Sequence, residues 1–447
     1  MIKKYLFMYR KNKNFGESVR VPGPNPLSAL VRSANKFIFV AMLVSVVLTT
    51  AITDGIAAER QYAPGISDTE IKIGNTSPYS GPASTYGTIG KGVKAYFDKV
   101  NSDGGVNGRR INFITLDDGY SPPKTKELFR KLIEREKVAF IFQSIGTQTN
   151  SAVHRYINKK NIPHLFVASG ATRWGQPKRF PWTMGWSPTY RTEGYIYGAY
   201  LLEINPNAKV AILYQNDDYG KDYVRGFKNA LGDRVEAMVV AEETYEATDP
   251  TIDSQIINLR ASGADTFYNV TIPKFAAQAI RKVYDIDWKP LHLLNSASAS
   301  INATLRPAGP EKSKGIVTTT YLKDPTDVRW HQDPEYKEWI AWMDKWYPQG
   351  DKDNYFNVYA YAVAQTMVKV LEQAGDDLTR ENIMRQAANL RKLRVKMLLP
   401  GITLNTSPED FFPIEAMQMM RFDGEKWMRF GDLISMEDRQ QVCFLDL

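Results

Sequence analysis

Tyr79-Ser80-Gly81-Pro82-Ala83-Ser84-Thr85-Tyr86-Gly87 follows directly on a short β-branched stretch at 71–76 and precedes a segment of helical character. A polar, ring-bearing loop in that position lies at the carboxyl end of a parallel strand, where open α/β sheets hold their ligands. Outward from this loop the same rhythm continues. Short apolar runs at 111–117, 138–144, 163–168, 210–215, 235–244, 265–271 and 315–321 predict strands. Amphipathic stretches at 90–100, 124–136, 149–160, 192–203, 219–231, 252–261 and 273–284 predict the helices between them. Strand, helix, strand in this order implies right-handed crossovers and parallel sheets covered on both faces.

The rhythm occurs twice, which predicts two Rossmann-like α/β lobes built on one plan. The first lobe closes near Trp182-Thr183-Met184-Gly185-Trp186-Ser187-Pro188 and the second near Gly315. The chain then returns to helices at 334–346, 355–373 and 379–389, breaks at Leu399-Pro400-Gly401, and ends in a hairpin of 416–422 and 426–430 turning at Asp423-Gly424. The expected division is 1–58 as an export signal with an upstream extension, 59–187 plus 316–399 as lobe 1, and 188–315 plus 400–447 as lobe 2. Three crossings between the lobes result, each a hinge segment.

Residues 37–48 are an apolar run preceded by Arg32 and Lys36 and followed by Gly55-Ile56-Ala57-Ala58. This is the layout of a cleaved secretory signal, too short for a membrane span of roughly 20 residues. Cleavage near Ala58 and a periplasmic location are expected. The stretch before Arg32, with Pro22, Pro24 and Pro26, is long for such a signal. Residues 1–58 hold eight Lys or Arg against Glu17 and Asp54, so they carry +6 of the net +8 and leave +2 on the rest. That balance argues against a nucleic-acid partner. The single cysteine, Cys443, supplies no disulfide, zinc site or lipid attachment at the signal.

Phe142-Gln143-Ser144-Ile145-Gly146-Thr147-Gln148-Thr149 reads as a strand end, a loop and a helix start. Backbone N–H groups at a helix N-terminus, with the Ser144 and Thr147 hydroxyls, cradle a carboxylate. Helix capping by Ser144 and Thr149 is the plainer alternative. Ala168-Ser169-Gly170-Ala171-Thr172 ends the next strand and supplies the second half of the cradle through Ser169 and Gly170.

These segments, together with Asn101 through Gly105-Val106-Asn107-Gly108-Arg109, Asp117-Asp118, Asn216-Asp217-Asp218-Tyr219-Gly220 and Tyr355 through Tyr361, resemble the type I periplasmic binding proteins of ABC importers, in the branched-chain amino acid (leucine/isoleucine/valine) family. Within it, the chain is most similar to a branch that includes binders of aromatic acids. The resemblance implies two lobes closing on a ligand and docking on inner-membrane permease subunits. It further implies that the position of Ser144 grips the ligand carboxylate, that Tyr86 and Phe142 wall the pocket from the first lobe, and that Tyr219 covers it from the second. Family members often carry threonine where Gly170 falls.

Amino acid receptors of the family also present an acid near the stretch Leu294-Asn295-Ser296-Ala297-Ser298, yet no Asp or Glu occurs between Asp287 and Glu311. A buried ammonium without an anion costs several kcal/mol. The expected ligand is therefore a carboxylate without an α-ammonium, an aromatic or phenylpropanoid acid, with Thr271, Asn295 and Ser296 available to a distal hydroxyl. A branched-chain amino acid, or an amide such as urea, is the alternative; a monomer without cofactor or metal is expected.

An enzyme is the other class. Only His154, His164, His292 and His331 offer an imidazole, and Gly-x-Ser-x-Gly does not occur. Gly87-Thr88-Ile89-Gly90-Lys91-Gly92 fits neither phosphate-loop spacing. Asp351-Lys352-Asp353-Asn354 opens like a calcium loop but has Ala362 where the closing acid belongs, so it reads as a helix entry. Asp117-Asp118 reads as loop capping, and Trp339, Trp342 and Trp346 as the core face of a helix. A sensory role feeding a membrane kinase is a third reading.

Overall fold

The computed structural model describes Arg20 and residues 61–436, and the expected signal and Cys443 lie outside these. The chain divides into two units between Glu59 and Arg60, and the unit beginning at Arg60 contains every described helix and strand. Among the described residues no helix is long and apolar enough to cross a membrane.

Two sheets organise this unit. The first has five parallel strands in the spatial order Arg110–Asp117, Glu70–Ser77, Phe140–Phe142, His164–Val167, Thr183–Gly185. The second has seven, in the order Trp427–Ser435, Ala416–Phe422, Val317–Thr320, Leu291–Leu294, Thr266–Val270, Val210–Gln215, Val239–Tyr245. Its first two strands run antiparallel as a hairpin, and the other five are parallel. In each sheet the first strand in sequence lies between the second and the third, so both follow one plan. The central strands Phe140–Phe142, His164–Val167 and Thr266–Val270 are buried throughout, as strands covered on both faces must be. The edge strand Val239–Tyr245 instead alternates half-buried and exposed positions.

Four expectations shift. Residues 235–238 are not strand: the helix Asp218–Leu231 ends at Gly232 (φ +56°), and the 3-10 turn Gly232–Arg234 leads into the helical turn Val235–Met238. The helix expected at 124–136 is α-helical over Pro122–Arg130 and widens into a π-turn over Lys131–Arg135. The short strands Thr183–Gly185 and Leu291–Leu294 complete the two sheets at places read from sequence as a lobe end and a ligand loop. Finally, Val317–Thr320 pairs with Leu291–Leu294 and Ala416–Phe422, so a boundary at 315/316 would cut the second sheet, whose parallel part runs to Thr320.

The long helix Tyr355–Ala374 is buried along nearly its whole length and packs on the helix Gly87–Ser102, where Tyr96 meets Tyr361 edge-on at 5.2 Å. Trp186 fixes it to the first sheet by donating Nε1–H to Thr366 Oγ1 at 3.0 Å. Trp339 and Trp342 are core residues, and Asn354 caps the long helix by accepting from Phe356 N.

Candidate functional site

In each sheet, the loops leaving the first and third strands diverge and open a crevice at the carboxyl edge. In the first sheet these loops follow Ser77 and Phe142; in the second they follow Gln215 and Val270. The two crevices face one another across a cavity of about 90 Å³. Asp117 shapes the near rim: it accepts from Tyr79 N, Ser80 N, Ser80 Oγ and Gly119 N, folding the loop that carries Tyr86. Tyr86 then reaches across and donates to the Ala297 carbonyl of the second sheet at 3.1 Å.

Of the residues expected at the site, Tyr86, Thr147, Ser169, Gly170, Tyr219 and Ser296 line this cavity. Four do not. Phe142 is fully buried among Phe97, Phe113 and Phe166 in the core of the first sheet. Ser144 is also fully buried; its hydroxyl is engaged by Asn150 Oδ1 at 2.6 Å and His164 Nε2 at 2.5 Å. Thr271 donates to Asn269 Oδ1. The Asn295 amide donates to the Asn269 and Thr271 carbonyls and accepts from Tyr219 OH at 3.0 Å, so it orients Tyr219 from behind. Phe142 is the last residue of its strand, Ser144 lies two beyond it after Gln143 in a left-handed conformation, and Thr271 and Asn295 each lie one residue past a strand end; all four turn into the core.

The polar wall of the cavity lies three residues beyond Ser144, at Thr147, with Ser169 and Gly170 beside it. Ser169 Oγ accepts from Trp174 Nε1 at 2.9 Å and from Ala171 N at 3.3 Å. Ser169 Oγ and Thr147 Oγ1 share a further hydrogen bond at 2.7 Å, and the Tyr190 hydroxyl bonds to both. The Thr147 side chain lines the cavity. It stands at the N-terminus of the helix Thr147–Lys159, whose first N–H groups have no intrahelical partner. Thr149 bonds back to the Ile145 carbonyl rather than capping the helix.

Rings form most of the remaining wall: Tyr120, Tyr190, Tyr223, Tyr321, Tyr355, Phe356 and Tyr359 join Tyr86 and Tyr219. Sequence reasoning singles out none of these seven, although Tyr355, Phe356 and Tyr359 fall within the segment Tyr355 through Tyr361 that carries part of the resemblance. Tyr190 packs face to face on Tyr223 at 4.6 Å and edge-on to Tyr219 at 5.1 Å. Burial holds its phenol protonated, and its hydroxyl faces Ser169, Thr147 and the Gly170 N–H.

One acid does face the cavity from the second lobe, contrary to the expectation drawn from the 287–311 stretch. Glu193, 2 % exposed, sits in the first turn of the helix Tyr190–Ile204. It accepts from Ser296 N at 2.6 Å, Ser296 Oγ at 2.7 Å, Tyr197 OH at 2.7 Å and Tyr223 OH at 2.6 Å. The Leu294 carbonyl, also 2.7 Å from Tyr197 OH, shares that phenol hydrogen, and together the four contacts nearly fill the acceptor capacity of a carboxylate. Burial raises the Glu193 pKa, and the bonds from Tyr223, Ser296 and Tyr197 pull it back. The helix can come this close to the one bearing Tyr223 because Gly194 leaves room: a Cβ there would stand 2.2 Å from the Tyr223 carbonyl.

The buried histidines offer no catalytic base. His164, His154 and His292 are each driven down to about 3, chiefly by burial. Ser144 resembles a nucleophile beside a base, but its hydrogen goes to Asn150 Oδ1, so His164 Nε2 must donate to it, and both residues are fully buried. Among the described residues no group of His, Cys, Asp or Glu could hold a metal.

The profile of the periplasmic binding protein family matches residues 70–426. The chain is 24 % identical over 326 residues to the Leu/Ile/Val-binding protein homolog 1 of Brucella abortus, covering 70 % of this chain and 81 % of that one. Among the solved structures that share its fold are two with bound ligands. One is a branched-chain amino acid ABC transporter protein from Thermus thermophilus with bound valine (TM-score 0.73, 16 % identity, 83 % of this chain and 97 % of that one). The other is a solute binding protein of an ABC transporter from Rhodopseudomonas palustris BisB5 in complex with 3,4-dihydroxybenzoic acid (TM-score 0.68, 18 % identity, 82 % and 97 %). Matched over most of its length and built as two α/β lobes around a shared crevice, the chain belongs to the type I periplasmic binding proteins, whose matched relatives are transporter substrate-binding proteins and not enzymes.

Proposed function

We propose that this protein is the solute-binding receptor of an ABC importer and captures a small carboxylate-bearing molecule, an aromatic or phenylpropanoid acid, between its lobes. The observation that carries this reading is the pairing of a polar wall with an aromatic one: the hydroxyls of Thr147, at a helix N-terminus, and of Ser169 face a cavity bounded by tyrosine rings. Rings supply apolar area and edge geometry for an aromatic guest, and the helix terminus supplies fixed dipoles for its carboxylate. The ligand settles first on the lobe bearing Thr147, Ser169 and Gly170. The second lobe, dividing from the first near residues 187/188, 320/321 and 399/400, then brings Tyr219 and Ser296 over it. Closure shifts an open/closed equilibrium by the ligand's differential affinity for the two states. The export signal at 1–58, periplasmic residence, a monomeric state and delivery to permease subunits belong to the same reading.

An α-amino acid is the second reading, and Glu193 is the observation that favours it, because a carboxylate opposite the cradle suits an ammonium group. Against it stand the four donors already on that carboxylate. A thermal-shift panel of 3,4-dihydroxybenzoate, 4-hydroxycinnamate, leucine, isoleucine and valine separates the two, since a tight binder raises the melting temperature by mass action. Stabilisation by an aromatic acid alone is the expected result, whereas stabilisation by leucine alone transfers the protein to the second reading.

A further inference from the structure

A second concave site lies apart from the ligand cavity, where the helix Thr147–Lys159 and the loop after Gly170 meet the helices Tyr190–Ile204 and Asp218–Leu231. It has a volume of about 250 Å³, and Arg155, Arg173, Arg179, Arg191 and Arg225 line it with only Asp218 and Asp222 as counter-charges. Both acids are committed. Asp222 binds Arg191 at 3.3 Å and accepts from Thr172 N at 2.8 Å; Asp218 pairs with Arg173. Among the described residues, no carboxylate lies within ion-pair distance of Arg155, Arg179 or Arg225. Arg173 keeps its buried Nε without a partner, and Arg179 lies on the Phe180 ring at 5.2 Å, which leaves the donor edge of its guanidinium free. The fields of these cations add up beneath the surface. After burial, the charges of Arg173, Arg179 and Arg155 are what hold the underlying His154 neutral.

Like charges gathered on a concave wall repel one another, and the guanidinium fork binds the oxygens of a phosphate bidentately, as it does those of a carboxylate. We propose that this pocket binds a small multivalent phosphate-type anion. Because Arg155 and Arg179 come from the first lobe and Arg225 from the second, the anion bridges the lobes and favours the arrangement in which they meet. Its charge is matched by three unpaired guanidiniums, more than a single carboxylate would satisfy.

Titration calorimetry of inorganic pyrophosphate into the full chain at low salt tests the proposal. The expected result is binding of one pyrophosphate per chain, weakened about tenfold by Arg225→Gln and about a hundredfold by Arg155→Gln/Arg179→Gln. Arg155, Arg179 and Arg225 are exposed, so unchanged melting curves by circular dichroism should accompany these losses. Absence of binding heat in the wild type, or equal affinity in all three proteins, overturns the proposal. A parallel arm with phosphatidylglycerol vesicles distinguishes the sources of the phosphate. Co-sedimentation that pyrophosphate competes off and the double variant loses assigns a lipid headgroup, whereas pyrophosphate binding without co-sedimentation assigns a free anion.

Discussion

The ring of Tyr190 occupies the space that a side chain at Gly170 would need. A Cβ on Gly170 would stand 2.8 Å from both Cδ1 and Cε1 of Tyr190 and 2.6 Å from the Pro188 carbonyl, and Tyr190 N donates to the Gly170 carbonyl at 2.8 Å. The hydroxyl that family resemblance places at this position on the first lobe is thus replaced by a phenol from the start of the second. Gly170→Ala should cost about 1–3 kcal/mol through overpacking against ring and backbone. Urea denaturation reads this directly, and an unchanged midpoint would mean that ring and glycine are not in contact.

Ser144 and Thr147 divide roles that sequence reasoning joins. Ser144→Ala removes bonds to Asn150 and His164 inside the first lobe, so it should lower stability by about 1–3 kcal/mol and leave ligand affinity within a factor of about three. Thr147→Val should instead weaken binding by about 1–3 kcal/mol by removing a hydroxyl of the polar wall. Calorimetry with a carboxylate ligand checks both variants, and a reversed pattern would return Ser144 to the site.

The sheets were legible because fully buried parallel strands read as continuous apolar runs, as at Phe140–Phe142 and Val210–Gln215. Leu291–Leu294 and Thr183–Gly185 were not, since three or four residues beside a proline or tryptophan give no period. Strand order located the loops around Tyr86 and Thr147, and the family resemblance located Tyr219. Neither reached single-residue precision at Phe142, Ser144, Thr271 and Asn295, where residues at or just past a strand end face the core. Glu193 is not legible from the sequence around Ser296, because a helix 103 residues earlier delivers it by tertiary packing.

Asp324 makes a pH prediction whose sign is opposite to the usual carboxylate case. Burial raises it from 3.8 to about 6, helped by Asp327 and Asp353 and opposed by bonds from Thr326. Between about pH 4 and 6 the native chain therefore holds a proton that the unfolded chain has released, and this group's contribution to stability falls as pH rises through that window. Above about pH 6 the penalty is complete. Asn at this position keeps an acceptor for Thr326 without the charge, so Asp324→Asn should be more stable than wild type by about 1–3 kcal/mol at pH 8 and indistinguishable from it at pH 4. Denaturant melts at the two pH values decide this, and an equal difference at both would assign the effect to packing.

Glu193 discriminates the two ligand readings most sharply. Its oxygens serve Tyr197, Tyr223 and Ser296, all on its own side of the cavity. A glutamine keeps the shape and an acceptor but loses the charge and must turn an NH₂ toward one pair of donors, so some stability is lost whichever ligand binds. The affinities separate the cases. An aromatic acid, whose carboxylate lies on the opposite wall, should bind Glu193→Gln within about threefold of wild type, because no ligand charge loses its partner. An α-amino acid should lose at least about a hundredfold, the consequence of leaving a buried ammonium without its anion. Paired titrations of 3,4-dihydroxybenzoate and leucine into both proteins measure this difference. A hundredfold loss for the aromatic acid would show that Glu193 contacts it directly and that the carboxylate wall has been assigned to the wrong side.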